Sequence, residues 1–159
     1  MKKILSLILK WACVLTAIII HDKSKFHNKG VQMEKRIFYH DTDSGGVVYY
    51  ANYLKYLEEA RTEFLEQKGL SVAAFCERGF LYAVRTVQIS YKTPARYGDV
   101  LTCDAALVKV SAAQIFFKQK IFQKDTGLLV VEADVALACL TKDFKPVQIP
   151  DDLKESLMK

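Results

Sequence analysis

From residue 52 to residue 68 the apolar side chains recur every three or four positions, whereas from residue 87 to residue 140 they recur mainly every second position. The first pattern predicts one amphipathic helix and the second a run of strands, because these elements repeat about every 3.6 and 2 residues. On the helix, Leu54, Leu57, Arg61 with its aliphatic stem, Phe64 and Leu65 form the expected core face, and Gly69 stops it. Lys55, Glu59, Glu63 and Glu66 fall largely on the other side. Upstream, residues 35–40 predict a short strand leading into a polar, glycine-bearing loop at 41–46. Downstream, strands are expected at 87–92, 101–110, 114–124 and 131–140, with a turn at 94–99 and a terminal helical turn from Asp151. One helix followed by a meander of strands implies an α+β domain with an antiparallel sheet packed on that helix. A single helix covers one face and leaves the edges unpaired, so a homodimer or homotetramer is expected.

Charge separates the chain into two parts. Of 23 Lys and Arg and 18 Asp and Glu, which give a net charge of +5, six lysines but only one acid, Asp22, fall in residues 1–32. Residues 33–159 are balanced at 17 against 17 and contain no linker, so they form one expected domain. A neutral body has no general attraction for polyanions, which argues against a nucleic-acid partner. Residues 1–32 are expected to lie outside the fold, as a leader preceding a start at Met33 or as a membrane anchor through residues 4–20. That apolar stretch contains Lys10 and is 17 residues long, against the roughly 20 needed to span a bilayer. A cleaved signal peptide fits less well, since Ile18-Ile19-Ile20-His21-Asp22 offers no small-x-small site. Membrane association is therefore expected only through residues 1–32. The expected location is cytoplasmic, with the inner membrane as the alternative. Cys13, Cys76, Cys103 and Cys139 form neither a Cys-x-x-Cys pair nor a zinc spacing, so reduced thiols and no metal are expected.

Chemistry is concentrated just before the helix, where Asp41, Asp43, Gly45, Gly46 and Tyr50 fall within a dozen residues. Helix N-terminal N–H groups are unpaired and carry the positive end of the dipole, so they can polarise a carbonyl. A carboxylate just upstream can attack that carbonyl or activate a water beside it. The same residues also make an ordinary turn, with aspartate caps and glycines supplying unusual backbone angles. The glycines form neither G-x-G-x-x-G nor a Walker loop, which disfavours phosphate cradling. Glu58 and Glu59 are best explained as helix-surface charges, Lys118 and Lys120 as an exposed strand face, and Arg96 as a solvated turn residue. Phe116, Phe117 and Phe122 are expected in the core or an oligomer surface.

The run Arg36-Ile37-Phe38-Tyr39-His40-Asp41-Thr42-Asp43-Ser44-Gly45-Gly46-Val47-Val48-Tyr49, continued by Asn52-Tyr53-Leu54 and Glu59-Ala60-Arg61, resembles the hotdog-fold acyl-CoA thioesterases. Within them it is most similar to the Tol–Pal-associated branch and to the related 4-hydroxybenzoyl-CoA thioesterases. The later segments Val84-Arg85, Tyr91 and Pro94-Ala95-Arg96 are similar as well, and the resemblance spans about residues 34–145. It implies an antiparallel sheet wrapped around one central helix and hydrolysis of acyl-CoA to a carboxylic acid and free coenzyme A, with no separate cofactor. It also implies Asp43 as nucleophile or general base, and the backbone N–H at Tyr50 as the group that polarises the thioester carbonyl. Gly46, Val47 and Arg85 are implied in substrate binding. The Tol–Pal branch usually has His where this chain has Tyr50, and a tyrosine, with a pKa near 10, is no base at neutral pH. That departure keeps a non-catalytic acyl-binding or envelope adaptor as the alternative. Hydratase chemistry on this fold relies on a catalytic His, and none lies between Asn52 and Lys159.

Overall fold

In the computed structural model, which describes residues 31–158, the first strand, β1, is Val31–Arg36. It lies upstream of the strand expected at 35–40, and the domain boundary expected at Met33 falls inside it. Pairing stops at Arg36↔Val100, after which the Ile37 amide donates to the Asp99 carbonyl at 2.9 Å. The Asp41 carboxylate then draws the chain into a 3-10 turn, Tyr39–Asp41, by accepting the Phe38 amide at 2.8 Å. The leader and anchor expectations for residues 1–30 lie outside the described residues.

The long helix, α1, spans Asn52–Gln67 and buries Tyr53, Tyr56, Leu57, Ala60, Arg61, Phe64 and Leu65. This stripe is rotated slightly from the expected one. Tyr53 and Tyr56 take the inward positions of the first turns, and Leu54, about 100° further round, is left 42% exposed. At the end of α1, Gly69 adopts φ +71°, and the Leu70 amide returns to the Leu65 carbonyl at 2.9 Å. That is the left-handed termination glycine supplies at least cost. A short helix that the pattern did not signal, α2 (Val72–Glu77), follows at once, started by Ser71 Oγ accepting the Ala74 amide.

The remaining strands are β2 (Phe80–Tyr91), β3 (Val100–Val110), β4 (Gln114–Gln123) and β5 (Leu129–Thr141), and the chain ends in α3 (Asp151–Met158). β2 begins seven residues before the expected start, because its first half, from Phe80 to Val84, is nearly continuous apolar sequence without alternation. The five strands form one antiparallel sheet in the order β1-β3-β4-β5-β2. Alternate residues such as Leu101, Ile115, Phe117, Val135 and Leu137 are buried, and Phe117 meets Phe64 of α1 edge-to-face at 5.4 Å. The opposite face carries Lys118 and Lys120, 3.9 and 3.8 Å from Glu132. Cys103 and Cys139 are buried free thiols, and burial pushes the Cys103 thiol up to about 12, so it stays protonated. β2 forms one sheet edge and leaves Val84, Val87 and Tyr91 exposed.

Candidate active site

The loop between the 3-10 turn and α1 is a tight hairpin. Thr42 bridges Val48, the Asp43 amide donates to Val47 O at 3.0 Å, and the Gly46 amide returns to Asp43 O at 3.0 Å. The two glycines serve different needs. Gly46 sits at φ +71°, a region where a Cβ is strained, whereas a Cβ on Gly45 would lie 3.0 Å from Asp43 Oδ1. The carboxylate can therefore lie back against the turn, where Oδ1 accepts the Gly45 amide at 2.8 Å. Asp43 itself is exposed, and its Oδ2 meets no donor among the described residues. Val47 is half-buried and contributes its carbonyl to the turn.

Asp41, two residues earlier, is its structural opposite. It is 6% exposed, its Oδ2 holds the Phe38 amide, and its carbonyl accepts both the Tyr49 amide and Asn52 Nδ2 at 2.9 Å. It thus clamps the hairpin to the first residue of α1. Burial, reinforced by Asp41, raises the pKa of the Tyr56 hydroxyl far above its ordinary value. His40 points to solvent, with its ring stacked on Phe38 at 5.8 Å, so it is no catalytic partner of Asp43.

Between the hairpin and α1, the amides of Tyr50 and Ala51 donate to nothing among the described residues. The Asn52 amide is taken by Tyr49 O and the Leu54 amide by Ala51 O. A pair of free amides at the positive end of a 16-residue helix is a place for a partly negative oxygen. Around it stand aromatic rings. Tyr91 Oη donates to Tyr50 O at 3.2 Å and its ring meets Tyr50 edge-on at 6.5 Å, while Tyr49 lies 4.7 Å from Tyr50. Burial raises the Tyr53 and Tyr91 hydroxyl pKa values, so both remain neutral and neither is a base at neutral pH.

The other expected site residues are not all gathered here. Arg85 is the extra residue of a bulge, between Val84↔Leu137 and Thr86↔Ala136, and is exposed. Six residues along β2 from Tyr91, it lies about 20 Å from the Tyr50 contact, so it does not reach Asp43 within one chain. Glu59 pairs with Lys35 at 3.0 Å, Glu58 accepts Thr62 Oγ1, and Arg96 is exposed in its turn. Among the described residues no group of three or more His, Cys, Asp and Glu is placed to hold a metal ion, and no helix is long and apolar enough to cross a membrane.

Two polar residues that periodicity hid are buried together. Arg61 Nη1 donates to Gln119 Oε1 at 2.7 Å, and Gln119 Nε2 donates to Leu57 O at 2.9 Å. The pattern places Arg61 on the core face by its aliphatic stem, and the hydrogen bond from its guanidinium is buried as well. A glutamine at an inward strand position, Gln119 between Phe117 and Ile121, was the one signal in the sequence that a polar partner lay opposite.

Compared with known proteins, residues 39–157 match the thioesterase-like superfamily. The acyl-CoA thioesterase YbgC of Haemophilus influenzae is 34% identical over 129 residues, covering 80% of this chain and 93% of that protein. Among solved structures, the DHNA-CoA thioesterase of Staphylococcus aureus superposes with a TM-score of 0.75 at 27% identity, over 80% of this chain and 87% of that one. A variant of 4-hydroxybenzoyl-CoA thioesterase complexed with 4-hydroxybenzoyl CoA shares the fold at a TM-score of 0.75 and 23% identity, over 80% and 98%.

Proposed function

The chain belongs to the thioesterase-like superfamily, with the hotdog fold expected for it, and from that premise we propose that it hydrolyses acyl-CoA to a carboxylic acid and free coenzyme A. The observation behind the site assignment is that one short stretch leading into α1 carries both an exposed carboxylate, Asp43, and the amides of Tyr50 and Ala51, which donate to nothing among the described residues. The thioester carbonyl oxygen sits at the Tyr50 amide, where the developing negative charge is stabilised. Asp43 Oδ2 then acts in one of two ways. As nucleophile it bonds to the carbonyl carbon and expels the thiolate, leaving a mixed anhydride that water cleaves. As general base it takes a proton from the water that attacks. Either way the thiolate leaves without acid assistance, so the reaction needs no metal and no cofactor beyond the coenzyme A of the substrate.

Gly46 and Val47 shape the approach to Asp43. Arg85, exposed and about 20 Å away, suits the phosphates at the far end of the coenzyme A arm better than the thioester. The β2 edge, with its unpaired backbone and exposed Val84 and Val87, is the surface we assign to a homodimer, which can pair again into a tetramer. The enzyme works in the cytoplasm, with envelope or inner-membrane association through residues 1–32 as the alternative. The test is release of coenzyme A thiol by the purified chain over aliphatic and aromatic acyl-CoAs. Turnover is expected for at least one class; tight binding without turnover of any would favour the adaptor reading, for which the tyrosine at position 50 is the motive.

A further inference from the structure

The face of α1 that meets the hairpin carries a buried donor that the reaction, as proposed, leaves unused. Asn52 Nδ2 donates to the Asp41 carbonyl at 2.9 Å, and Tyr56, four residues on, stands one turn along the same face. Helix side chains lean back toward the N-terminus, so the Tyr56 ring lies over the turn that Asn52 begins. Tyr56 is 1% exposed, and its hydroxyl is buried without a hydrogen-bond partner among the described residues. The carboxylate of Asp41 stands beside that hydroxyl, and its negative charge adds to burial in raising the hydroxyl pKa. Asp41 has an opening to match. Its Oδ2 accepts the Phe38 amide, whereas Oδ1 accepts no hydrogen bond among the described residues and lies 3.7 Å from Nε2 of the solvent-facing His40. The Tyr56 ring is also braced. Lys35 Nζ, held by both Glu59 oxygens at 3.1 and 3.0 Å, lies 5.0 Å from its centroid, and Tyr53 meets it edge-on at 6.0 Å.

A buried hydroxyl and a buried carboxylate each cost free energy while a hydrogen-bonding position stays empty, and side by side they are complementary. The phenol donates, the carboxylate accepts, and a bond to a charged acceptor is among the stronger ones. What such a bond holds is the hairpin. Thr42, next to Asp41, bridges Val48, and the Asp43 amide donates to Val47 O, so a shift of Asp41 carries Asp43 with it. We propose that Tyr56 is a positioning residue: its hydroxyl gives the Asp41 carboxylate a second donor and so fixes the hairpin that carries Asp43 relative to the free amides before α1. The inference rests on the thioesterase reading above, and Tyr56 itself touches neither substrate nor the reacting atoms.

The experiment compares Tyr56→Phe with Tyr82→Phe in the full chain. Tyr82 likewise has a buried hydroxyl without a partner among the described residues, but its ring packs on Phe75 of α2, about 30 Å along β2 from Tyr91. Both variants lose the same group, and only one loses it beside Asp41. Hydrogen exchange of the Phe38, Asp43 and Gly46 amides, followed by NMR and taken relative to the amides of β4, should speed up about tenfold in Tyr56→Phe and stay unchanged in Tyr82→Phe. With an acyl-CoA that the unsubstituted chain hydrolyses, Tyr56→Phe should lower kcat about tenfold and leave KM within about twofold, since the catalytic carboxylate is displaced and the binding surface is not. Tyr82→Phe should leave both constants unchanged. Unaltered hairpin exchange or unaltered kcat in Tyr56→Phe, a change confined to KM, or an equal fall in both variants would overturn the proposal. Should no acyl-CoA be hydrolysed, the thioesterase reading fails by itself, and the exchange comparison still decides whether Tyr56 holds the hairpin.

Discussion

The two ends of α1 are built on opposite principles. At its start, the polar groups are exposed and largely backbone: the free Tyr50 and Ala51 amides, with the Asp43 carboxylate resting on the Gly45 amide. About 14 Å further along, the polar group is a side chain, Arg61, buried among apolar residues and held by Gln119. The first end has little folding energy invested in it and much chemistry available. The second is costly to bury and is tied into the sheet through β4. Substitutions at the two ends should therefore separate activity from stability.

The sharpest separation is at Asp43. Asp43→Asn should lower kcat for thioester hydrolysis by about 10²–10⁴, the range for losing a positioned base or nucleophile, while the melting temperature stays near that of the unsubstituted chain. A large fall in melting temperature would make Asp43 a structural residue like Asp41. Gln119→Leu attacks the other end, leaving Arg61 without an acceptor inside the fold. Denaturant unfolding should show a loss of about 2–3 kcal/mol, and an unchanged midpoint would mean that Arg61 is solvated rather than braced.

A smaller effect is expected in the hairpin. Gly46→Ala forces a Cβ into the left-handed region and should cost about 1–2 kcal/mol, with turnover falling as Asp43 shifts. Equal turnover would show that the site tolerates movement of its carboxylate. The smallest effect lies on the opposite face of the sheet from α1, at Asp104, whose Oδ1 is buried without a partner among the described residues. Burial raises its pKa above the ordinary carboxylate value, so the folded state holds the proton longer than the unfolded one and stability falls as pH rises through that range. Asp104→Asn should gain up to about 1 kcal/mol at pH 7, and the gain should vanish in acid, where Asp104 is protonated; a pH-independent difference would point to packing instead.

The same contrast explains what could be read in advance. The hairpin and helix start announce themselves because backbone geometry needs particular residues at fixed offsets: Gly46 for its angle, Gly45 for clearance, Asp43 and Asp41 for turn amides. The helix and the α+β class followed from hydrophobic period, and β3, β4 and β5 do form the expected meander, but β2 does not continue it: it crosses over to pair with β5 at the far edge, which no local period encodes. The buried face was misjudged at Leu54, because Tyr53 and Tyr56 count as amphipathic in a pattern yet bury their rings fully here. α2 and the first half of β2 were missed because a six-residue helix and a continuous apolar run leave no period to detect. Arg61 lies on the buried face as expected, but its hydrogen bond to Gln119, 58 residues away, is one that no local pattern connects to it. Arg85, implied in substrate binding by the resemblance, is exposed at a bulge of β2, a feature that no hydrophobic period signals.

The central claim is that the Asp43 carboxylate, at the free amides before α1, performs the chemical step. Its most direct test is a single-turnover measurement, with enzyme in excess over one acyl-CoA that the unsubstituted chain hydrolyses, so that the rate constant of thiol release reports bond cleavage and not binding. Asp43→Asn should release thiol at least about 100-fold more slowly while remaining folded by thermal melt. A folded Asp43→Asn chain that releases thiol within about twofold of the unsubstituted rate would contradict the account.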